Sequence, residues 1–156
     1  MEKPMEPDAI APDGGALPIE GYASLFNIPD LNGDIVRPGA FARSLKRQGV
    51  RGVRMLFQHE AGEPVGVWDE MREDATGLYV RGRVLKAAPR GRATVSLIAQ
   101  GAVDGLSIGF RTIRFAPLKA GGRELIELDL WEVSVVTFPM LPQARLRVAE
   151  PAAVAA

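Results

Sequence analysis

Hydrophobic and polar residues alternate along most of the chain, which is typical of β-strands with one buried face. The alternation predicts a short edge strand over residues 144–148 and longer strands over residues 17–27, 53–59, 65–73, 76–85, 103–114 and 123–137. Turn-forming pairs such as Gly121-Gly122 separate several of these segments. Because short turns join most consecutive strands, the pattern predicts an antiparallel sheet.

Two segments carry helical spacing instead. In residues 41–48, Phe41 and Leu45 stand four positions apart and Gly49 follows, which predicts a short helix that ends at the glycine. In residues 87–102, apolar residues recur at helical intervals, namely at Val95, Ile98, Ala99 and Ala102. The elements together predict a mainly β (α+β) fold: a closed antiparallel β-barrel of about seven strands flanked by short helices.

The length and composition indicate one domain. The chain has 156 residues, of which 47% are hydrophobic, enough for a single packed core. Residues 1–16 contain three prolines and few large apolar side chains, so we expect a flexible N-terminal arm. Residues 17–148 form the predicted domain, and residues 149–156 form a predicted flexible C-terminal tail.

Charge and cysteine content exclude several classes of function. Nineteen basic and nineteen acidic side chains cancel, so no charge excess indicates a nucleic acid or membrane partner. The absence of cysteine excludes disulfides, thiolate metal sites and a cysteine nucleophile. No apolar run approaches the length of a membrane span, and the N-terminus has no apolar signal core. We therefore expect an intracellular protein.

A turn with calcium-like spacing lies between the first strand and the first helix. Asp30, Asn32 and Asp34 alternate as in a calcium-binding loop, but glycine is fourth rather than sixth, and the twelfth position is Phe41. Asp and Asn side chains also bond to nearby amides in ordinary turns. We predict a structural turn here.

Ser107 lies between Gly105 and Gly109 in a predicted strand. The flanking glycines leave its hydroxyl uncrowded and let another backbone come close. Because its neighbours alternate as in a plain strand, the segment is not the strand-to-helix elbow of hydrolases. Considered alone, Ser107 is more consistent with a structural serine than with a nucleophile.

His59 and Glu132 are the other two candidates for chemistry. His59 is the chain's one histidine and ends a predicted strand. Glu132 lies in an otherwise apolar strand, beside a slip in the alternation at Leu130-Trp131 that predicts a bulge or burial on both faces. A buried carboxylate needs a partner, which could be the histidine ring or an arginine. Serine, histidine and a carboxylate are the side-chain types of an acyl-transfer triad.

The chain resembles the prohead (capsid maturation) proteases of tailed bacteriophages, which are similar in fold to the herpesvirus assemblin proteases. The resemblance runs from about residue 17 to residue 148. It is carried by the order and spacing of short segments: Gly21-Tyr-Ala-Ser-Leu-Phe-Asn, Gly33-Asp-Ile-Val-Arg-Pro-Gly-Ala-Phe, Met55-Leu-Phe-Gln-His, Pro64-Val-Gly-Val-Trp, Gly77-Leu-Tyr-Val-Arg-Gly, Gly105-Leu-Ser-Ile-Gly-Phe and Leu130-Trp-Glu-Val-Ser-Val-Val.

The resemblance implies a serine endopeptidase that needs no cofactor. Ser107 would be the nucleophile, His59 the general base and Glu132 the acid that orients the histidine. Backbone amides, helped by Arg111, would hold the oxyanion; otherwise Arg111 is a surface arginine.

The implied partner is the major capsid protein with its scaffolding region, together with the protease's own ends. The implied location is the immature capsid in the host bacterial cytoplasm. A phage-like gene transfer agent would give the same pattern, and self-association stays open.

Two other interpretations remain. The first is a non-catalytic barrel that binds scaffold during capsid assembly. The second is a metal-dependent hydrolase that uses Asp30, Asp34, Glu132 and His59, although a site with one histidine and no cysteine is unusual.

Overall fold

The computed structural model of the protein describes residues 15–150. Its elements in chain order are β1 (Leu17–Leu25), β2 (Ile35–Val36), α1 (Ala42–Gln48), a 3-10 turn (Val50–Gly52), β3 (Arg54–Phe57), β4 (Glu60–Glu73), β5 (Gly77–Val84), α2 (Gly91–Ala99), β6 (Gly105–Pro117), β7 (Arg123–Val136) and β8 (Leu146–Val148). The predicted arm and tail fall mostly on residues 1–14 and 151–156, outside the described residues. The predicted domain limits stay predictions.

The eight strands form one mixed sheet in the order β6-β7-β3-β4-β5-β1-β8, with β2 also on β7. The long strand β7 is central to the arrangement. It pairs with β6 in antiparallel fashion along one edge, and with β3 and β2 in parallel fashion along the other. Residues of three other strands therefore meet at β7.

The prediction of a mainly β fold with two helices is correct, but the closed antiparallel barrel is wrong. Two of the pairings with β7 are parallel. The end strands β6 and β8 share no ladder, and only a single bridge joins Gly105 to Arg145 beside them. The physical reason is that β8 has three residues and covers only Ile19 to Gly21 of β1. The sheet therefore stays open between β1 and β6.

The core is formed mainly by strand residues, and side chains of both helices pack on it. Its largest fully buried side chains include Trp68, Phe41, Ile19, Met55 and Leu78. Burial of each such side chain contributes about 1.5–3 kcal/mol. Leu45 of α1 also packs on this cluster, as its spacing from Phe41 predicts.

The turn between β1 and β2 is held by its own acidic side chains. One carboxylate oxygen of Asp30 accepts the backbone N–H groups of Asn32 and Asp34 at 2.8 and 3.0 Å. Asp34 in turn accepts the Arg123 guanidinium at 2.8 Å. The predicted structural turn is confirmed.

Within residues 15–150, no three His, Cys, Asp or Glu side chains form a cluster that could hold a metal ion. In the same range, no helix is both long and apolar enough to cross a membrane.

Candidate active site

The backbone at the end of β3 adopts an unusual conformation. After Phe57, both Gln58 and His59 are left-handed, with φ of 55° and 60°. Each such non-glycine residue costs on the order of 1–3 kcal/mol and persists only where its surroundings hold it. Gln58 supplies that hold through three hydrogen bonds to the end of β7: its N–H donates to Val135 O (2.9 Å), its amide donates to Thr137 Oγ1 (2.6 Å), and its Oε1 accepts Thr137 N–H (3.1 Å).

This backbone turn directs the His59 ring onto β7. Its Nδ1 lies 2.5 Å from Glu132 Oε2. The other carboxylate oxygen accepts the Ser134 hydroxyl at 2.6 Å, and that hydroxyl accepts the His59 backbone N–H at 3.0 Å. Ser134 is fully buried, so it fixes the backbone of the histidine and its carboxylate together.

The electrostatics of the pair favour a charged imidazole. The hydrogen bond that His59 donates to Glu132 raises the pKa of His59, partial burial opposes this increase, and the carboxylate's charge adds to it. An ionised carboxylate can only accept hydrogen bonds, so Nδ1 carries the proton and Nε2 of the neutral ring is left as the acceptor. A histidine in this state can act as a general base.

Gly109 makes room for Glu132. The two residues are opposite each other in the β6–β7 ladder, and a Cβ at position 109 would lie 2.1 Å from Glu132 Oε2. The next pair joins Phe110 to Leu130, so Trp131 is an extra residue on β7. The predicted slip at Leu130-Trp131 is therefore a β-bulge.

Ser107 lies two residues before Gly109 and opposite Ser134 in the same ladder. It is 6% exposed, and it lines a cavity of about 230 Å³ together with His59. Within the described residues its hydroxyl makes no hydrogen bond, including to His59. Bonds between catalytic groups are often long before substrate binds, so the shared cavity is the relevant geometry.

The structure thus brings Ser107, His59 and Glu132 to one site. It does not bring Arg111 there: its side chain is 64% exposed and lies 3.8 Å from Asp129. An arginine was the alternative partner for Glu132. Within the described residues, the Glu132 carboxylate bonds to His59 and Ser134 and to no arginine. Asp34 pairs with Arg123 instead of joining them.

Three further residues of the site are not identified from the sequence: Ser134, Gln58 and Thr137. Ser134 carries a usable signal, since it is a polar residue between Val133 and Val135 in a buried strand. Gln58 and Thr137 carry no such signal in the sequence, because nothing in the hydrophobic pattern predicts that the end of β3 lies beside the end of β7.

The fold is shared with solved viral proteases. The structure is similar to the capsid assembly protease of bacteriophage T4, with a TM-score of 0.63 and 17% identity over 78% of this chain and 81% of the T4 chain. KSHV protease in complex with a hexapeptide phosphonate inhibitor gives a TM-score of 0.54 and 11% identity, over 87% and 66% of the two chains. Varicella-zoster virus protease gives a TM-score of 0.50 and 14% identity, over 85% and 63%. These similarities concern the fold alone.

The sequence gives a closer assignment. The family of caudovirus prohead serine proteases matches residues 5–154, and the chain belongs to that family, as the resemblance predicts. The chain is also 40% identical over 135 residues to the prohead protease of Enterobacteria phage HK97. That alignment covers 85% of this chain and 60% of the HK97 protein, so the chain spans less than two thirds of its relative's length.

Proposed function

We propose that this protein is a serine endopeptidase that removes the scaffolding segment of the major capsid protein inside the immature capsid, in the host bacterial cytoplasm. Ser107 is the nucleophile, His59 the general base and Glu132 the orienting acid. The observation that carries the proposal is the 2.5 Å contact of His59 Nδ1 with Glu132 beside a cavity that His59 shares with Ser107. Membership of the prohead protease family supports the choice of substrate.

The proposed reaction follows from these positions. His59 Nε2 takes the Ser107 proton while the hydroxyl oxygen attacks the peptide carbonyl, and the imidazolium is stabilised by Glu132. The tetrahedral intermediate then breaks down: its amine leaving group takes that proton from His59 and departs, and an acyl-serine remains. In the second half, His59 takes a proton from water, and the water oxygen attacks the acyl-serine. This step releases the carboxylate product and restores the serine hydroxyl. Backbone amides stabilise the oxyanion, and the mechanism does not require Arg111.

The first experiment tests the nucleophile. The chain is co-expressed with the capsid protein encoded beside it, and the masses of intact capsid protein are measured. We expect the wild type to trim the capsid protein and Ser107→Ala to leave it whole, since loss of a triad member costs about 10⁴-fold or more in rate. Ser96 is an exposed serine on α2, so Ser96→Ala is the matched control and should trim the capsid protein normally.

The remaining outcomes separate the alternatives. If Ser107→Ala trims like the wild type, Ser107 is not the nucleophile and the proposed triad is wrong. If neither chain trims but shells form only when the chain is present, the protein is a non-catalytic assembly module. Masses of the protease itself, taken in the same samples, show whether its own ends are substrates.

A further inference from the structure

The cavity beside Ser107 and His59 continues into an aliphatic interior. Ala23 of β1, Leu106 of β6 and Leu125 of β7 line it and are at most 2% exposed. Met140 and Leu141 form its outer side. An apolar cavity of about 150 Å³ stays dry and can hold a benzene ring. The volume of about 230 Å³ here therefore has room for one large side chain.

The charged residues at this cavity are Asp30, Asp34 and Arg123. Arg123 is the one arginine or lysine among the lining residues, and it is paired with Asp34 through a 2.8 Å ion pair and through its backbone N–H, which donates to Asp34 at 2.9 Å. One carboxylate oxygen of Asp30 accepts two backbone N–H groups of its own turn. An acidic side chain that entered would meet no free arginine or lysine, and any charged side chain would lose hydration among the aliphatic residues. The cavity therefore favours an uncharged occupant.

The backbone beside Ser107 offers a free strand edge. The Leu106 N–H points away from β7, because it donates to Ala144 O. Ile108, two residues later on the same strand, directs its backbone groups to the same side. No strand in residues 15–150 pairs with β6 there, since the bridge at Gly105 ends the contact with the β8 side. An extended peptide can add to such an edge and project alternate side chains to one face.

We propose that the cavity binds one large, uncharged aliphatic side chain of the substrate, such as leucine, isoleucine or methionine, while the neighbouring substrate backbone pairs with β6 at Ile108. Because Ser107 itself lines the cavity, the bound side chain lies close to the cleaved bond; each extended residue spans about 3.3 Å, so four residues on each side cover about 13 Å. This inference rests on the proposed endopeptidase function.

The first experiment tests whether the substrate carries a preferred aliphatic residue near the cleaved bond. The cleaved bond is located from the masses of the trimmed capsid protein. The four residues on each side are then replaced one at a time by alanine, leucine, lysine or glutamate in the capsid protein itself, and trimming is followed over time by co-expression. We expect one position at which leucine is trimmed about 10- to 200-fold faster than alanine, and lysine and glutamate more slowly still. A preference for lysine at that position, or no position with an aliphatic preference, overturns the inference.

A protease variant then ties that position to the cavity. Leu141→Ala enlarges the outer side and should shift the preferred residue at that position from leucine towards phenylalanine. Leu97→Ala, on α2 and away from the cavity, is the matched control and should keep the leucine preference. Thermal melts establish whether both variants fold. If Leu141→Ala does not fold, the substrate series with the wild-type protease alone tests the inference.

The two proposals fail in different ways. If Ser107→Ala abolishes trimming while Leu141→Ala leaves every preference unchanged, the endopeptidase function stands and the cavity assignment is wrong. If Ser107→Ala trims like the wild type, the function itself is wrong.

Discussion

At the scale of single residues, the Glu132 carboxylate favours the protonated form of His59. Its hydrogen bond raises the pKa of His59 above the usual value of about 6.5. A general base must be neutral, so we expect kcat/KM to increase with pH through this raised pKa. Glu132→Gln removes the charge, so the acidic limb should shift to lower pH while the maximal rate falls about 10⁴-fold, as for other triads that lose their acid.

The pH–rate profile of trimming measures both effects. Glu124→Gln, on the same strand but 3.4 Å from Arg37 and outside the cavity, is the matched control and should keep the wild-type profile. An unchanged acidic limb in Glu132→Gln would show that His59 does not titrate in that limb.

Gly109 is predicted to be required because of the space it leaves for Glu132. In Gly109→Ala the new Cβ would meet the flexible end of that carboxylate, which must move away from His59. We expect a folded protein with a rate reduced by about 10²-fold, as for a misplaced catalytic group. Gly62→Ala, whose Cβ would have nothing within 4 Å, is the control. Equal rates for the two variants, measured beside their thermal melts, would contradict the argument.

At the scale of the element, the end of β3 positions the histidine. Gln58 holds two successive left-handed residues through its bonds to Val135 and Thr137. Gln58→Met keeps the length of the side chain but loses the amide, so His59 should move relative to Ser107. We expect kcat to fall about 10²-fold with KM nearly unchanged. Gln100→Met, at the end of α2, controls for the substitution itself. A rise in KM with kcat intact would assign Gln58 to substrate binding instead.

The same element shows what the sequence pattern can and cannot predict. The alternation of Met55 and Phe57 correctly predicts a strand, and the slip at Trp131 correctly predicts a bulge. Alternation depends on which face is buried and carries no information on strand direction, so the parallel pairing of β3 with β7 was not predictable. β2 has two residues, too few for any periodicity.

At the scale of the whole molecule, the same limit explains the wrong barrel. Seven alternating segments with short turns are compatible with both a closed and an open sheet, and closure depends on whether the two end strands of the sheet, here β8 and β6, pair along their length. β8 is too short to pair along β6. Residues of β1 and β6, the strands on the two sides of this opening, line the cavity that contains Ser107, so the feature that the sequence did not predict is also the one that leaves space beside the candidate nucleophile.

The Asp34–Arg123 pair connects two parts of the chain that are distant in sequence and should contribute measurably to stability. It links the turn after β1 to the start of β7, and the Asp34 side chain is 8% exposed. The hydrogen bond from Arg123 lowers the pKa of Asp34, although burial opposes it. A carboxyl whose folded pKa is lowered stabilises the fold above its unfolded pKa of about 3.9, and that contribution disappears as pH falls through the folded value.

Asp34→Asn should therefore lower the free energy of unfolding at pH 7 by about 1–3 kcal/mol, measured by urea denaturation. The difference from the wild type should shrink as the pH is lowered below about 4, because protonation of Asp34 removes the same interaction from the wild type. Asp69→Asn is the control: its partners Arg51 and Arg83 lie at 2.7 and 2.8 Å on the surface, where such pairs contribute about 0–1 kcal/mol. A difference between Asp34→Asn and the wild type that stays constant from pH 7 to pH 3 would mean that the charge of Asp34 does not contribute to stability.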